Sequence, residues 1–274
     1  MVGIALSLFI LADVAVFLYP TISDYINSFT QSRVVARYAD EVAGLDGLEI
    51  NSILEAAYEY NRGLLRKGNP FEFTAEETGE YRNQLSTSRG VMGILAIDKI
   101  DVRLPIYHGT DEGVLQIGLG HIQGTSLPVG GAGTHSFITG HRGLPSSMLL
   151  TDLDKLSEDD TFMLYVLGEI LTYRVDKISV VEPWEMSVLK IDPGMDYVTL
   201  VTCTPYGINT HRLLVRGRRI PNVANAGWYD IYSEARRPDR LMVISLLLVP
   251  VLALLILSTT VWYIVTRKSG VVRL

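Results

Sequence analysis

Thr199-Leu200-Val201-Thr202-Cys203-Thr204-Pro205-Tyr206-Gly207-Ile208-Asn209-Thr210-His211-Arg212 holds the only cysteine of a 274-residue chain. It reads as a strand ending at Cys203, a polar turn, and a second strand starting near His211. Side chains alternate along a strand, so Thr199, Val201 and Cys203 share one face. Arg212, Leu214 and Arg216 share a face of the second strand. If the strands are neighbours, one thiol and one guanidinium point into a single pocket. A thiol beside a fixed cation is biased towards thiolate, the reactive form. The bland alternative is a buried cysteine acting as a small hydrophobe.

Working outward, residues from Met92 to about Ile220 read as β. Ile94, Ala96, Ile100, Val102, Leu104 and Ile106 lie in short apolar runs broken by charges. Glycine-rich turns follow. His135 to His141 is a strand with His135, Phe137, Thr139 and His141 in phase. Thr161 to Leu167 and Leu171 to Val181 form a hairpin around Gly168. Many short strands at regular spacing predict a barrel or sandwich of about 130 residues. Five histidines, His108, His121, His135, His141 and His211, are candidate partners for Cys203, because a Cys–His couple forms in space and not in sequence. His211 faces away from Arg212. His141 precedes a turn that presents it at a rim, where catalytic groups gather.

Upstream of the β segment, Thr21 to Val42 reads as a helix capped near Thr21 and Asp24, and Asp46 with Glu49 opens a second one. This helical pair lacks enough residues for its own core and reads as an appendage of the β segment. Residues 63–88 read as a long polar loop, a lid or binding loop, in which Phe71 and Phe73 are out of place unless they dock.

Both ends of the chain are apolar. Val2 to Tyr19 approaches a bilayer's span, although Asp13 in its middle costs about 2.5–3.5 kcal/mol on insertion scales. It is expected to be a signal-anchor whose basic start lies upstream. Leu241 to Val265 is expected to be a transmembrane helix, preceded by a polar linker at 222–240.

Composition and motifs exclude several classes. The net charge is −6 and no basic run interleaves with aromatics, so nucleic acid is not an expected partner. A lone cysteine forms no intrachain disulfide. One Cys and scattered His give no CxxC or HExxH spacing for a metal. Gly118 to Gly124 fails the GxGxxG pattern, and no phosphate loop or GxSxG elbow is present.

Thr199 to Cys203 resembles the TLxTC signature of sortases. Gly124-Thr-Ser-Leu-Pro-Val-Gly-Gly131, Thr139-Gly-His-Arg-Gly-Leu-Pro145, Thr151-Asp-Leu-Asp-Lys-Leu156 and Cys203 to Arg212 resemble class C, the pilin-polymerising sortases of Gram-positive bacteria. The resemblance runs from about Gly93 to Arg219, and the two flanking membrane segments suit that class. It implies a mainly β protein with a closed barrel of about eight strands and short helices. The expected organisation is an anchor at 1–20, helices at 21–66, a lid at 67–90, a catalytic barrel at 91–221, a linker, a transmembrane helix at 241–265 and a cytoplasmic tail at 266–274.

The resemblance also implies roles. Cys203 is expected to be the nucleophile, His141 the general acid and base, and Arg212 the residue that orients substrate and stabilises the oxyanion. Substrates are expected to be pilin precursors with an LPXTG-like sorting signal, cleaved between Thr and Gly and passed to a lysine amine of another pilin. No cofactor is expected. The barrel is expected outside the cell, tethered to the lipid bilayer. Class C lids carry an Asp-Pro-aromatic motif that plugs the site. Here Asn69-Pro70-Phe71 stands in its place, so a lid held only by a weak Asn69–Arg212 bond is expected, with Phe71 over Cys203. The rivals are a housekeeping sortase that loads a cell-wall precursor and a membrane-anchored scaffold with an inert thiol.

Overall fold

The short apolar runs between residues 91 and 220 become eight strands: β1 (Val91–Ile97), β2 (Val102–His108), β3 (Leu119–His121), β4 (Thr134–Thr139), β5 (Thr161–Val166), β6 (Glu169–Val181), β7 (Asp196–Thr204) and β8 (His211–Ile220). They close into a barrel in the order β1-β2-β3-β4-β7-β8-β6-β5. The computed structural model describes residues 2–67, 69–87, 90–222 and 240–269. The linker expected at 222–240 lies almost wholly outside the described residues.

The hairpin around Gly168 forms as the sequence predicts. Leu167 and Gly168 both take positive φ, 45° and 88°, which matches the twist of antiparallel strands. Two pairings are parallel, β2 with β3 and β4 with β7. The second one sets the site, because it lays the end of β4 beside the end of β7.

Four longer helical elements surround or flank the barrel: α1 (Val2–Gly44), α2 (Gly47–Leu64), α3 (Ala75–Asn83) and, after the barrel, α5 (Arg240–Ser269); the short α4 (Glu112–Leu115) lies between β2 and β3. The expected break at residue 20 is absent. α1 runs continuously through Pro20, and Asp24 does not cap a new helix: its Oδ1 accepts the Met148 amide at 2.8 Å. α2 begins as expected, with Asp46 capping and Glu49 reciprocating.

The helical pair has no core of its own. Val35, Tyr38, Val42, Leu54 and Ala57 belong to one cluster with Met92, Ile94, Leu95 and Leu164 of the barrel. This explains why β1 is buried on both faces. Two polar ties fix the docking. The Tyr38 hydroxyl donates to Met92 O (3.3 Å) and accepts from the Leu167 amide (3.0 Å). The Asn61 amide pairs twice with the Leu127 backbone, at 3.2 and 2.7 Å.

The loop expected at 63–88 is corrected. Its second half is α3, capped by Thr74 with Glu77 reciprocating, and Tyr81 is buried against the barrel. The membrane spans expected at the two ends are not shown by the structure. Both segments are helical, yet among the described residues no helix is long and apolar enough to cross a membrane.

Candidate active site

The antiparallel register of β7 and β8 places Cys203 directly opposite Arg212, and Thr204 opposite His211. The same register pairs Val201 with Leu214 and Thr199 with Arg216. Their shared face is the outside of the barrel, because Val198, Leu200 and Val215 fill the interior. On the outside, Phe137, Val201 and Leu214 form a separate apolar cluster, flanked by Ile122, Val181, Val188 and Leu189. Cys203 lies one row beyond that cluster, half-buried and free.

His141 reaches the same place through β4. The last parallel pair is Thr139 with Val201. Gly140 continues it: its amide donates to Val201 O (3.1 Å), and Thr202 Oγ1 donates to its carbonyl (2.8 Å). Two residues beyond Thr139 is His141, and two beyond Val201 is Cys203, so the parallel register, continued past its last pair, leads both to the same end of the sheet. Gly140 leaves room for Leu119 and Leu150: a Cβ there would lie 2.6 Å from Leu119 Cδ2, so that buried side chain would have to shift. The strand itself stops at Thr139, so His141 stands just past its end and not within it.

The other four histidines are committed elsewhere. His121 is fully buried, with Nε2 on Ser126 O at 2.8 Å and Nδ1 at 2.9 Å from the Tyr81 hydroxyl. His135 donates through Nδ1 to Lys190 O (2.7 Å) and accepts through Nε2 from Thr199 Oγ1 (2.8 Å). Burial pushes both imidazoles down to about 4, against the backbone bonds that favour the charged form. His108 Nε2 bonds Gln84 O at 2.6 Å. His211 faces Glu182 at 3.3 Å. His141 is different. Its Nε2 is buried without a hydrogen-bond partner among the described residues, and Glu112 Oε1 stands 3.7 Å away.

Arg212 donates through Nη1 to Asn209 O (3.3 Å) and to His211 O (3.1 Å), so its guanidinium rests on its own turn. Asn69 does not bond it. The Asn69 side chain accepts the Phe71 amide (3.1 Å) and donates to Glu72 (2.9 Å), closing a tight turn within the loop. Phe71 and the Pro70 carbonyl lie over Gly124: a Cβ at that residue, whose φ is +94°, would meet Pro70 O at 2.4 Å and Phe71 Cδ1 at 2.8 Å. Phe71 therefore packs on the loop that also carries Ile122, at the margin of the apolar cluster.

Three similar proteins give this geometry a context. The sortase domain is matched over residues 95–220. The fold is similar to that of sortase C1 from Streptococcus agalactiae, at 48% identity and a TM-score of 0.68, over 70% of this chain and 100% of that one. The chain belongs to the sortase family. A sortase C from Streptococcus pneumoniae, whose structure is tied to catalysis and pilin substrate specificity, is similar at 44% identity and a TM-score of 0.64, over 70% of this sortase and 98% of that chain. A lid mutant of sortase A from Corynebacterium diphtheriae is similar at 43% identity and a TM-score of 0.62, covering 66% and 98%. Sortases are cysteine transpeptidases, so this chain is an enzyme, and a half-buried free thiol facing an arginine is a suitable centre for that chemistry.

One neighbour of the site in this sortase escaped the sequence reading. Arg142, only 8% exposed, pairs with Asp154 and donates to Thr204 Oγ1 at 3.2 Å, with its guanidinium 6.0 Å from the Tyr206 ring. It ties the segment carrying His141 to the end of β7. Its place directly after His141, inside the Thr139–Pro145 stretch, was the available signal.

Proposed function

We propose that this sortase is a pilin polymerase. It cleaves an LPXTG-like sorting signal between Thr and Gly, holds the pilin as a thioester on Cys203 and passes it to a lysine amine of another pilin subunit. The observation that supports this reading is the pairing of Cys203 with Arg212, with His141 two residues past the last β4–β7 pair, beyond a part of the outer face where His135 is bonded at both ring nitrogens. The similarity to class C sortases, one of them tied to pilin substrate specificity, supports the polymerase over a housekeeping role.

Each step follows from the groups at hand. The Cys203 thiolate attacks the Thr carbonyl and forms a C–S bond. Arg212, always charged, turns its fixed N–H fork from the Asn209 and His211 carbonyls towards the oxyanion. The C–N bond breaks as the His141 imidazolium gives its proton to the departing glycine amine. The thioester retains much of the energy of the peptide bond, so an amine can resolve it without ATP. Water is the wasteful competitor, so the apolar row beside Cys203 and a lid over it serve to limit hydrolysis.

Asn69, Pro70 and Phe71 form that lid in this reading. It rests on packing against Gly124 and not on a bond to Arg212. The barrel acts outside the cell. The apolar runs Val2 to Tyr19 and Leu241 to Val265 support a bilayer tether, which sedimentation of the full chain with membranes would check.

The test is intact-mass spectrometry of the full chain mixed with an LPXTG-type peptide. A gain equal to the peptide's N-terminal acyl fragment is expected, and none in Cys203→Ala, a loss of at least about 10³-fold. A gain that persists in Cys203→Ala would sink the thioester.

A further inference from the structure

The carboxylate nearest the reacting groups has no role in the chemistry above. Glu112 opens the short helix α4, and its Oε1 lies 3.7 Å from His141 Nε2 while its side chain is 71% exposed. Gln116 Nε2 donates to the same oxygen at 2.6 Å and holds the side chain in place. Among the described residues the Glu112 carboxylate pairs with no lysine or arginine. Its surroundings are otherwise matched. Asp154 holds Arg142, Glu182 faces His211, and Arg212 rests on backbone carbonyls. Before acylation the His141 imidazolium faces this carboxylate; once His141 has given up its proton, Glu112 has one side open to solvent and no cation beside it.

The helix is mounted firmly. Gly120 on β3 lets the Gly109 carbonyl and Leu115 close down on the strand, since a Cβ there would meet Gly109 O at 2.3 Å and Leu115 Cδ2 at 3.1 Å. The Val114 and Leu115 amides both bond Asp111 O, at 2.9 and 3.1 Å. Asp111, exposed beside Glu112, adds a second negative charge to the same lip.

We propose that Glu112 is the subsite for the acceptor amine: it receives the ε-ammonium of the incoming lysine and delivers it to His141 and the Cys203 thioester. This rests on the polymerase reading above. Glu112 Oε1 and His141 Nε2 lie 3.7 Å apart, close enough for one ammonium to hydrogen-bond both once a small rotation of the imidazole uncovers its buried Nε2. The balance is complete. After acylation His141 is neutral. The ammonium releases one proton to solvent and attacks as an amine. The C–N bond forms, the second proton passes to the imidazole, and the C–S bond breaks to return a thiolate–imidazolium pair. A cation-selective lip also explains how an amine can outcompete water, since a lysine is protonated at neutral pH and is concentrated by the charge.

The experiment splits one thioester pool between two nucleophiles. The full chain, intact and as Phe71→Ala, is acylated with an LPXTG-type peptide. It is then offered an Nα-acetylated lysine peptide together with hydroxylamine, an amine that is neutral at neutral pH. The readout is the ratio of isopeptide to hydroxamate. Glu112→Gln is expected to lower that ratio about tenfold, the scale of one exposed charge-assisted hydrogen bond, and Glu112→Asp to recover part of it. If Glu112 only orients His141, both products fall together, the ratio stays at the wild-type value, and the proposal is overturned. A wild-type thioester that gives hydroxamate and no isopeptide overturns it as well, together with the lysine acceptor. No thioester in either background instead defeats the sortase chemistry proposed for Cys203, a failure visible before any amine is added.

Discussion

On the outer face of β4, β7 and β8 two polar rows lie to either side of Val201 and Leu214, which form an apolar cluster with Phe137. The far row is saturated. His135 uses both ring nitrogens, on Lys190 O and Thr199 Oγ1. Arg216 grips Asp176 with two bonds of 2.9 and 3.0 Å and lies 4.1 Å from the Tyr197 ring centre. The near row has the same kinds of residue, a histidine and an arginine beside a small side chain, and is left open. The His141 Nε2 is unbonded, Arg212 makes only two long contacts with its own turn, and the Cys203 thiol is free. A saturated row stabilises a fold, because buried polar groups are costly unless paired. An open row forgoes that stabilisation and keeps its donors for substrate.

The largest effect that separates the rows is acid sensitivity. His135 in the far row, and His121 behind the sheet, are held neutral by burial, with values lowered from 6.5 to about 4. An unfolded chain takes up these protons near 6.5 and the native one near 4. Stability from both groups is therefore full above about pH 6.5 and is lost as pH falls towards about 4, on the order of 3 kcal/mol for each at most. Urea midpoints measured across that window should fall steeply, and His135→Gln, which can still bond Lys190 O, should flatten part of the slope. A midpoint that stays level from about pH 7 to about pH 4 would remove the claim that these two histidines are structural.

A paired substitution sharpens the contrast next. Arg212→Lys keeps the charge and loses the fork. It is expected to cut the acylation rate about 10²-fold with little change in the urea midpoint. Arg216→Lys loses a two-point bond to Asp176 and the stacking on Tyr197. It is expected to cost about 1–2 kcal/mol of stability while the rate per folded molecule stays near wild type. The opposite assignment of losses, rate to Arg216 and stability to Arg212, would break the division into open and saturated rows.

How much of this was legible depended on which interactions are local. Alternation along 199–203 and 212–216 assigned Cys203 and Arg212 each to one face of its strand, because period two needs no tertiary information, while their facing positions come from the β7–β8 register. Many short strands left a barrel or a sandwich open, and the closed barrel came from family resemblance alone. The choice of His141 among five histidines did not follow from the residues, since it depends on the parallel pairing of β4 with β7, strands that lie about 60 positions apart in the sequence. Arg142 was legible only as the neighbour of His141, and Glu112 was invisible because its approach to His141 is a contact between residues 29 positions apart. α3 was legible and passed over: Thr74-x-x-Glu77 is a capping box, and its acidic first turn read as loop only because Gly79 and the charges masked the buried Tyr81. The break expected at Pro20 failed because a proline removes a single helical bond and neighbouring turns carry the helix past it.

The smallest effect concerns the lid, which lies at the margin of the apolar row and so joins neither polar row by a bond. Asn69 turns inward to its own loop, and Phe71 and Pro70 lie close on Gly124 of the barrel. Among the described residues no ion pair joins Asn69, Pro70 or Phe71 to the barrel, so the cover is expected to open easily. Phe71→Ala is accordingly expected to raise the thiol-labelling rate of Cys203 about 5- to 30-fold, on the scale of the 1–2 kcal/mol that one half-buried ring contributes. Gly124→Ala reaches the same end from the barrel side. Its methyl would overlap the Pro70 carbonyl and displace the loop, with a separate cost in stability from the positive φ of that residue. If labelling rises in both variants, the lid covers the thiol through this contact. If it rises in neither, the loop does not shield Cys203, and protection of the thioester from water falls to the apolar row alone.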